Sequence, residues 1–399
     1  MSRFHKAWKR TALLWLAAAV AFAAAAPQST ANSGPKKKAA AQPPVIDLGS
    51  GRETVSDAPP PDLAAFPTKC DVDGDIYLAY AQLSKGMIVT TGTSEDPVSE
   101  IEPDSLDITR YRVPGGIPDM QGRVSRMSFD VVSDGTFYAL FNTARRALSG
   151  KMIPEWVIAK YNNDGTVDSY IHIAQVPGMQ IQPLKIAVFG NGDFLLSGTT
   201  VLPDHSLGTF TGLFDQTGDL VRMLSLGKPV TVHVDRPNAN PPGKHAKPLS
   251  SAKELKAWSN NPVSLASSTL SVSASDGNVY LMQGTSNATL FVIDSQGEVL
   301  RHFKVKAPAP GLSPMQMAQA GAGHLFVFYA YLSTGSPEDK HPPQSMITVL
   351  SMATGEVTAL YGLPKGRMLM PGCAPSSHRF VFVSNSKDGH LSLVTFSTD

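Results

Sequence analysis

The feature that most constrains this chain is a two-part tag that recurs along it. Each copy opens with a tight turn of Asp-Gly type, followed by a strand rich in β-branched or aromatic residues. A second turn of DxxG type comes later, with another strand after it. The clearest copy is LSVSASDGNVYLMQGTSNATLFVIDSQGEVLRHFKV, from Leu270 to Val305. Its apolar runs at 269–274, 278–283, 288–293 and 298–304 read as four short strands separated by short turns. Four strands per repeat of this length is the pattern of a β-propeller blade.

The first turn recurs at Asp73-Gly74-Asp75, Asp134-Gly135, Asn191-Gly192-Asp193, Asp276-Gly277, Gly321-Ala322-Gly323 and Ser376-Ser377. The second recurs at Asn163-Asp164-Gly165, Asp215 to Gly218, Asp294 to Gly297 and Ala353-Thr354-Gly355. Glycine and Asp or Asn return here because tight turns need a positive φ or a local side-chain hydrogen bond. The layout gives six blades, at 66–113, 124–174, 184–226, 268–305, 314–361 and 367–399. The last blade lacks a fourth strand after GHLSLVTF (389–396). Val45–Leu48, an apolar island near the N-terminus, is expected to supply it, which would close the ring and remove exposed sheet edges. The predicted fold is an all-β, six-bladed β-propeller of four-stranded antiparallel blades, closed by an N-terminal strand and occupying 67–399.

The two cysteines fit this ring. Cys70 and Cys373 precede the first turn of the first and last blades, which are neighbours in a closed propeller. A disulfide between them is expected to staple the seam; two buried thiols are the alternative. There is no CxxC pair, so thiol-redox chemistry is not indicated.

Lys6, Lys9 and Arg10 precede the apolar run Thr11 to Ala26, with small residues at Ala21 and Ala23. This reads as a secretory signal peptide over 1–26, followed by a Pro/Ala/Lys-rich linker over 27–66. The run is shorter than the roughly 20 residues of a spanning helix. A secreted or periplasmic protein with no stable membrane span after cleavage is expected. The formal net charge is +1 and the basic residues are not clustered. That argues against nucleic acid as a partner, because affinity there rests on phosphate neutralisation.

In an antiparallel blade the first and third connections share one face of the disc. The second connection and the link to the next blade share the other. The long segments all fall in the second class: Leu83 to Pro97, Asn142 to Pro154, Leu332 to Ser345, Pro114 to Ser125 and, longest, 227–267. Long loops on a rigid scaffold are where ligands are met. The candidate ligand-binding residues on this face are Arg145, Arg146, His233, Asp235, Arg236, His245 and Trp258. His233 and Asp235 alternate on an extended TVHVD run and would share a face. With His245 they would make a metal or acid–base group. Ser251 would cap a short helix carrying Leu255 and Trp258, and Arg145-Arg146 suits an acidic ligand. His172, in YIHIA, reads as a structural histidine. His205 reads as solvated, and His341 as part of a turn.

The blade at 270–305 resembles the repeats of six-bladed propellers of the NHL type, and more loosely those of the TolB-like group. DGNVYL and DSQGEVLRHF carry the resemblance. Where that family has Asp and Arg after the second strand, this chain has GTSNATL (284–290), so family ligand positions do not transfer. Related calcium-dependent lactonases line the channel with acidic and amide residues. The inner strands here read MSFDVV, LKIAVF, LSVSAS and MQMAQA, and offer only Asp130, Gln316 and Gln319 as oxygen ligands. The leading expectation is therefore a non-enzymatic platform for an envelope or extracellular protein, peptide or glycan, with no cofactor. The alternative is a lactonase-like hydrolase or lyase at the channel mouth, with calcium as its metal.

Overall fold

The protein is described from a computed structural model that covers residues 42–56, 63–80, 82–84, 87–89, 98–113, 116–202, 204–227, 231–233, 262–284, 287–331, 345–364, 369–385 and 390–398. For 63–67, 80, 82–84, 87–89, 231–233, 370, 371 and 385 it gives backbone structure only. The signal-peptide and most of the linker segment lie outside these residues.

Six four-stranded sheets follow one another along the chain. From inner to outer strand the first blade is Leu63–Cys70, Ile76–Tyr80, Val98–Ile101 and Ile108–Tyr111. The second is Ser125–Val131, Phe137–Arg146, Met152–Tyr161 and Val167–His172. The third is Gln180–Val188, Phe194–Val201, Ser206–Phe214 and Leu220–Met223. The fourth is Leu270–Ser273, Val279–Gln283, Asn287–Ile293 and Val299–Lys306, and the fifth is Leu312–Gln319, His324–Tyr331, Ser345–Ser351 and Val357–Gly362. The sixth has Met370–Ser376, Arg379–Asn385 and Leu391–Ser397 from the C-terminal end of the chain. Every pairing within these four-stranded units is antiparallel.

The sixth blade is completed from the N-terminal side, but not by the strand expected. Arg52–Val55 pairs antiparallel with Leu391–Ser397 and is its fourth strand. Val45–Asp47 instead lies parallel to Val357–Gly362, as a fifth strand on the fifth blade. The physical reason is exposure. All four residues of RETV are exposed, so this edge strand carries no apolar alternation for a sequence reading to find. Gly49 and Gly51, both with φ near +67°, turn the chain from one blade to the next.

The core lies between blades. Middle strands such as Phe194–Val201 are buried along nearly their whole length because a neighbouring blade covers each face. Outer strands such as Leu220–Met223 are largely exposed. Tyr111, Phe129, Phe137 and Tyr161 fill the space between the first two blades. Phe326, Phe328, Tyr361, Phe380, Phe382 and Phe396 fill that between the last two. Ring contacts of 4.5 to 6.2 Å run through both clusters.

Cys70 and Cys373 form the expected disulfide, with Cα atoms 5.7 Å apart and a separation of 303 positions in sequence. It joins the inner strands of the first and last blades. The long insertion is anchored at both ends on the third blade. Thr231–His233 pairs with Ser206–Phe214, and the short helix Pro262–Ser267 turns Pro262, Ser264 and Ala266 inward. The helix expected around Leu255 and Trp258 lies outside the described residues. A two-stranded hairpin, Gln82–Ser84 with Met87–Val89, occupies part of the second connection of the first blade. No helix among the described residues is long and apolar enough to cross a membrane.

Candidate functional site

Two groups of charged side chains stand out, and both start from the inner strand of the first blade. The first is acidic. Asp71 follows Cys70 directly and folds the DVDGD turn around itself. Its Oδ1 accepts the backbone N–H of Asp73, Gly74 and Asp75 at 3.0, 2.9 and 2.9 Å. Gly74, at φ +94°, lets the turn approach the last blade closely, where an added Cβ would meet the Pro375 ring at 2.9 Å. Asp71, Asp75 and Glu100 then converge, with one carboxylate oxygen from each within 4.8 Å of the others.

Beneath them lies an aromatic floor. The Tyr77 hydroxyl is 2.9 Å from Glu100 Oε1 and 3.3 Å from Asp71 Oδ2, one proton facing two acceptors. Tyr111 donates to the other oxygen of Glu100 at 2.5 Å. Asp75 receives no such donor among the described residues. Burial, and then the charges of Asp71, Glu100, Glu102 and Asp73, push its carboxyl up to about 7. Burial also raises Asp71, against the pull of its backbone hydrogen bonds. Burial and the neighbouring carboxylates raise both tyrosines, so neither is poised to lose its proton and serve as a base.

The group sits where the first strand turns into the second, at the channel end of the blade on the tight-turn face. A shallow groove of about 740 Å³ runs along the seam of the first and last blades. Arg52, Asp104 and Arg379 line it, with Arg379 and Asp104 paired across the seam at 3.5 Å.

The second group crosses the axis. Lys69 Nζ is 2.7 Å from Asp130 Oδ1 on the second blade and donates to the Ser271 carbonyl on the fourth at 2.6 Å. Asp130 Oδ2 accepts the Val188 N–H and the Ser273 hydroxyl. Of the inner-strand oxygens singled out from the sequence, those of Asp130 and Gln319 therefore serve the protein itself, whereas Gln316 Oε1 is buried without a hydrogen-bond partner among the described residues. Gln316 donates to the Gly372 carbonyl at 2.7 Å, and Gln319 bonds the backbone and side chain of Ser275.

The residues proposed from sequence do not come together in the described structure. Arg145 and Arg146 lie at the exposed end of Phe137–Arg146, and Arg145 is paired with Glu155. His233 is the last residue of its strand, opposite Ser206. Asp235, Arg236, His245, Trp258 and His341 lie outside the described residues. His172 is not an interior histidine. It sits on an outer strand with its side chain 51 % exposed, 3.8 Å from Glu155, because outer strands have no further blade to cover them. His205 occupies a turn at φ 61° and is exposed.

The acidic group was missed although a signal was present. DVDGD places three carboxylates in a turn where the other blades carry one or none. Glu100 carried no signal, because only the pairing of Val98–Ile101 with Ile76–Tyr80 brings it opposite Tyr77.

No family model matches this chain, and none of the curated proteins does. Solved propellers are similar over most of its length at low identity. The Hadza microbial sialidase Hz136 is 10 % identical, with 83 % of this chain and 65 % of that chain covered and a TM-score of 0.46. The polysaccharide lyase Uly1 is 13 % identical over 84 % and 77 %, at a TM-score of 0.39. YCF48 bound to D1 peptide is 9 % identical over 89 % and 98 %, at 0.37. Likeness at this level assigns no activity; the six blades are established by the sheets themselves.

Proposed function

We propose that this chain is an exported propeller that holds a divalent cation at Asp71, Asp75 and Glu100, and uses it to act on a ligand as a hydrolase or lyase. Export rests on the N-terminal leader and is supported by the disulfide, which belongs to oxidising compartments. The observation that carries the reading is the Asp75 carboxylate. It stands among acidic neighbours with no hydrogen-bond donor of its own. Three hard oxygen ligands at this separation suit calcium or magnesium, with water or ligand oxygens filling the remaining positions. The cation would polarise a carbonyl or neutralise a carboxylate on the ligand. The groove along the same seam, with Arg52 and Arg379, offers room for an anionic chain.

The test is thermal unfolding of the full chain with calcium, with magnesium and with EDTA, alongside Asp75→Asn. A site that binds only the folded protein stabilises it by about 2.7 kcal/mol at a hundredfold excess over Kd. A rise with cation that Asp75→Asn removes supports the site. No rise overturns it. Turnover of lactones, esters or uronate-containing glycans that EDTA abolishes supports the enzyme.

The second reading is a non-enzymatic platform for a protein, peptide or glycan on the opposite face. It is favoured by the insertion anchored at both ends on the third blade. A cation-induced rise with no turnover on any of these substrates selects it.

A further inference from the structure

The first and last blades meet less fully than their neighbours do. The core between them consists of aliphatic side chains such as Ile76, Leu78, Val381 and Leu393, together with the cysteines. It holds no aromatic ring, whereas aromatic rings fill the seams on either side of it. The groove of about 740 Å³ lies beyond this aliphatic patch, toward the outer strand of the last blade.

The pleat decides what faces it. Leu391 and Leu393 pack toward the first blade, so Thr395 and Ser397 share their face. Arg52 lies opposite Thr395, Thr54 opposite Leu393 and Arg379 opposite Ser397, and directly opposed residues stand on one face. Thr54, Thr395, Ser397 and the two arginines all line the groove. One face of the last blade thus changes from aliphatic to polar along its strands. The hydroxyls of Thr54, Thr395 and Ser397 have no hydrogen-bond partner among the described residues. Arg52 is exposed and has no ion-pair partner among them. Arg379 meets Asp104 at 3.5 Å, but Asp104 is 92 % exposed. So open a pair contributes little and yields to a better acceptor.

We propose that this groove binds a glycan chain bearing carboxylates, with Arg52 and Arg379 each taking a uronate and the free hydroxyls meeting the hydroxyls of the sugar rings. A guanidinium presents a planar fork that matches a carboxylate in two parallel hydrogen bonds. At Arg379 the ligand carboxylate takes the place of Asp104. The two arginines stand on strands two spacings apart, roughly 10 Å, so a chain engages both more readily than one small anion does. The apolar part of the lining is confined to Leu48, Pro103 and Phe396, which gives an acidic peptide few places for its side chains. This assigns a chemical class to the anionic ligand of the reading above. The groove shares no residue with the acidic group, so binding here needs no cation and holds whether or not the acidic group takes one.

The test is titration calorimetry on the full chain in EDTA, with a linear galacturonate tetramer as the probe. The tetramer should bind, and its methyl ester, the same chain without charge, should bind about tenfold more weakly or worse. The galacturonate monomer should fall short of the tetramer by a similar factor. Arg52→Gln and Arg379→Gln, with thermal unfolding to confirm the fold, should each weaken the tetramer about tenfold. Lys306→Gln, which removes an exposed cation from the fourth blade, should leave binding unchanged. No binding, binding that both arginine variants retain, or a monomer as tight as the tetramer overturns the proposal. A tetraglutamate peptide that binds as tightly as the glycan overturns it too, in favour of an acidic protein partner. EDTA keeps the two readings apart: a failed cation site leaves this titration unaltered, and a failed titration leaves the thermal response to calcium unaltered.

Discussion

Lys69 and Asp71 are separated only by Cys70, yet they stand at opposite extremes of electrostatic matching. Lys69 enters a network in which its charge and that of Asp130 have every contact filled by protein atoms. Asp71 opens a group of three carboxylates in which two tyrosine hydroxyls reach only Asp71 and Glu100, and a single turn satisfies Asp71. A buried charge is tolerated where geometry is good and each lone pair is used. The axial network meets that standard and acts as structure. The rim does not, and an unmatched cluster of this kind needs a proton or a cation to settle it. Lys185, on the inner strand Gln180–Val188 of the third blade, is an exception of the opposite sign, an ammonium with no ion-pair partner among the described residues.

The largest change comes from cutting the disulfide at Cys70, the residue that stands between the two regions. Cys70→Ser with Cys373→Ser opens a loop spanning almost the whole domain. The chain-entropy model gives a loss of about 6 kcal/mol for a loop of this length, to be read from urea denaturation. Both charged groups hang on that inner strand. The same variant should therefore weaken the cation response at the rim.

Removing one carboxylate from each region breaks the comparison directly. Asp130→Ala strands the Lys69 ammonium in the interior and should cost about 3–5 kcal/mol. The equivalent change at the rim, made without cation, relieves repulsion instead. If both substitutions destabilise equally, the distinction between a matched and an unmatched cluster fails.

The fold was legible because turn chemistry is local. The Asp-Gly and DxxG tags mark where strands reverse, and the four strands of the 270–305 repeat begin within about two residues of their predicted places. Matching turns in neighbouring blades also placed Cys70 against Cys373. What was not legible depends on partners far away in sequence. Arg52–Val55 closes the ring by backbone pairing alone, so its polar side chains gave no signal. Glu100 and Lys185 look like ordinary strand residues until neighbouring elements bring a tyrosine to one and a second lysine near the other. Sequence reasoning sought chemistry in the long loops, whereas the converging side chains of the described residues lie at the tight turns and on the inner strands. Those residues are too few per element to make a motif.

Lys185 sharpens the comparison through pH. Its ammonium is lowered from the ordinary 10.5 to about 8, so between those values the unfolded chain binds more protons than the folded one. Stability therefore rises with pH across that window, and the full penalty is present below it. Lys185→Met has no such window. It should be more stable than the parent by about 2 kcal/mol at pH 7, and the difference should close toward pH 10.5. Paired urea titrations across this range measure it. A constant offset would mean that the gain is apolar packing rather than a relieved charge.

Asp75 gives the smallest effect and the most discriminating sign. Its carboxyl is raised from 3.8 to about 7, so between these values the folded chain binds a proton that the unfolded chain has lost. Without cation, stability contributed by this group falls as pH rises through that window, and the whole penalty is felt above 7. Asp75→Asn cannot titrate. In EDTA at pH 8 it should exceed the parent by about 1 kcal/mol, a part-exposed group being partly screened by water. Below pH 4 the two should converge. Calcium should reverse the order, since the parent gains a ligand for its excess charge and the amide loses one. A merely structural aspartate would show neither the pH window nor the reversal.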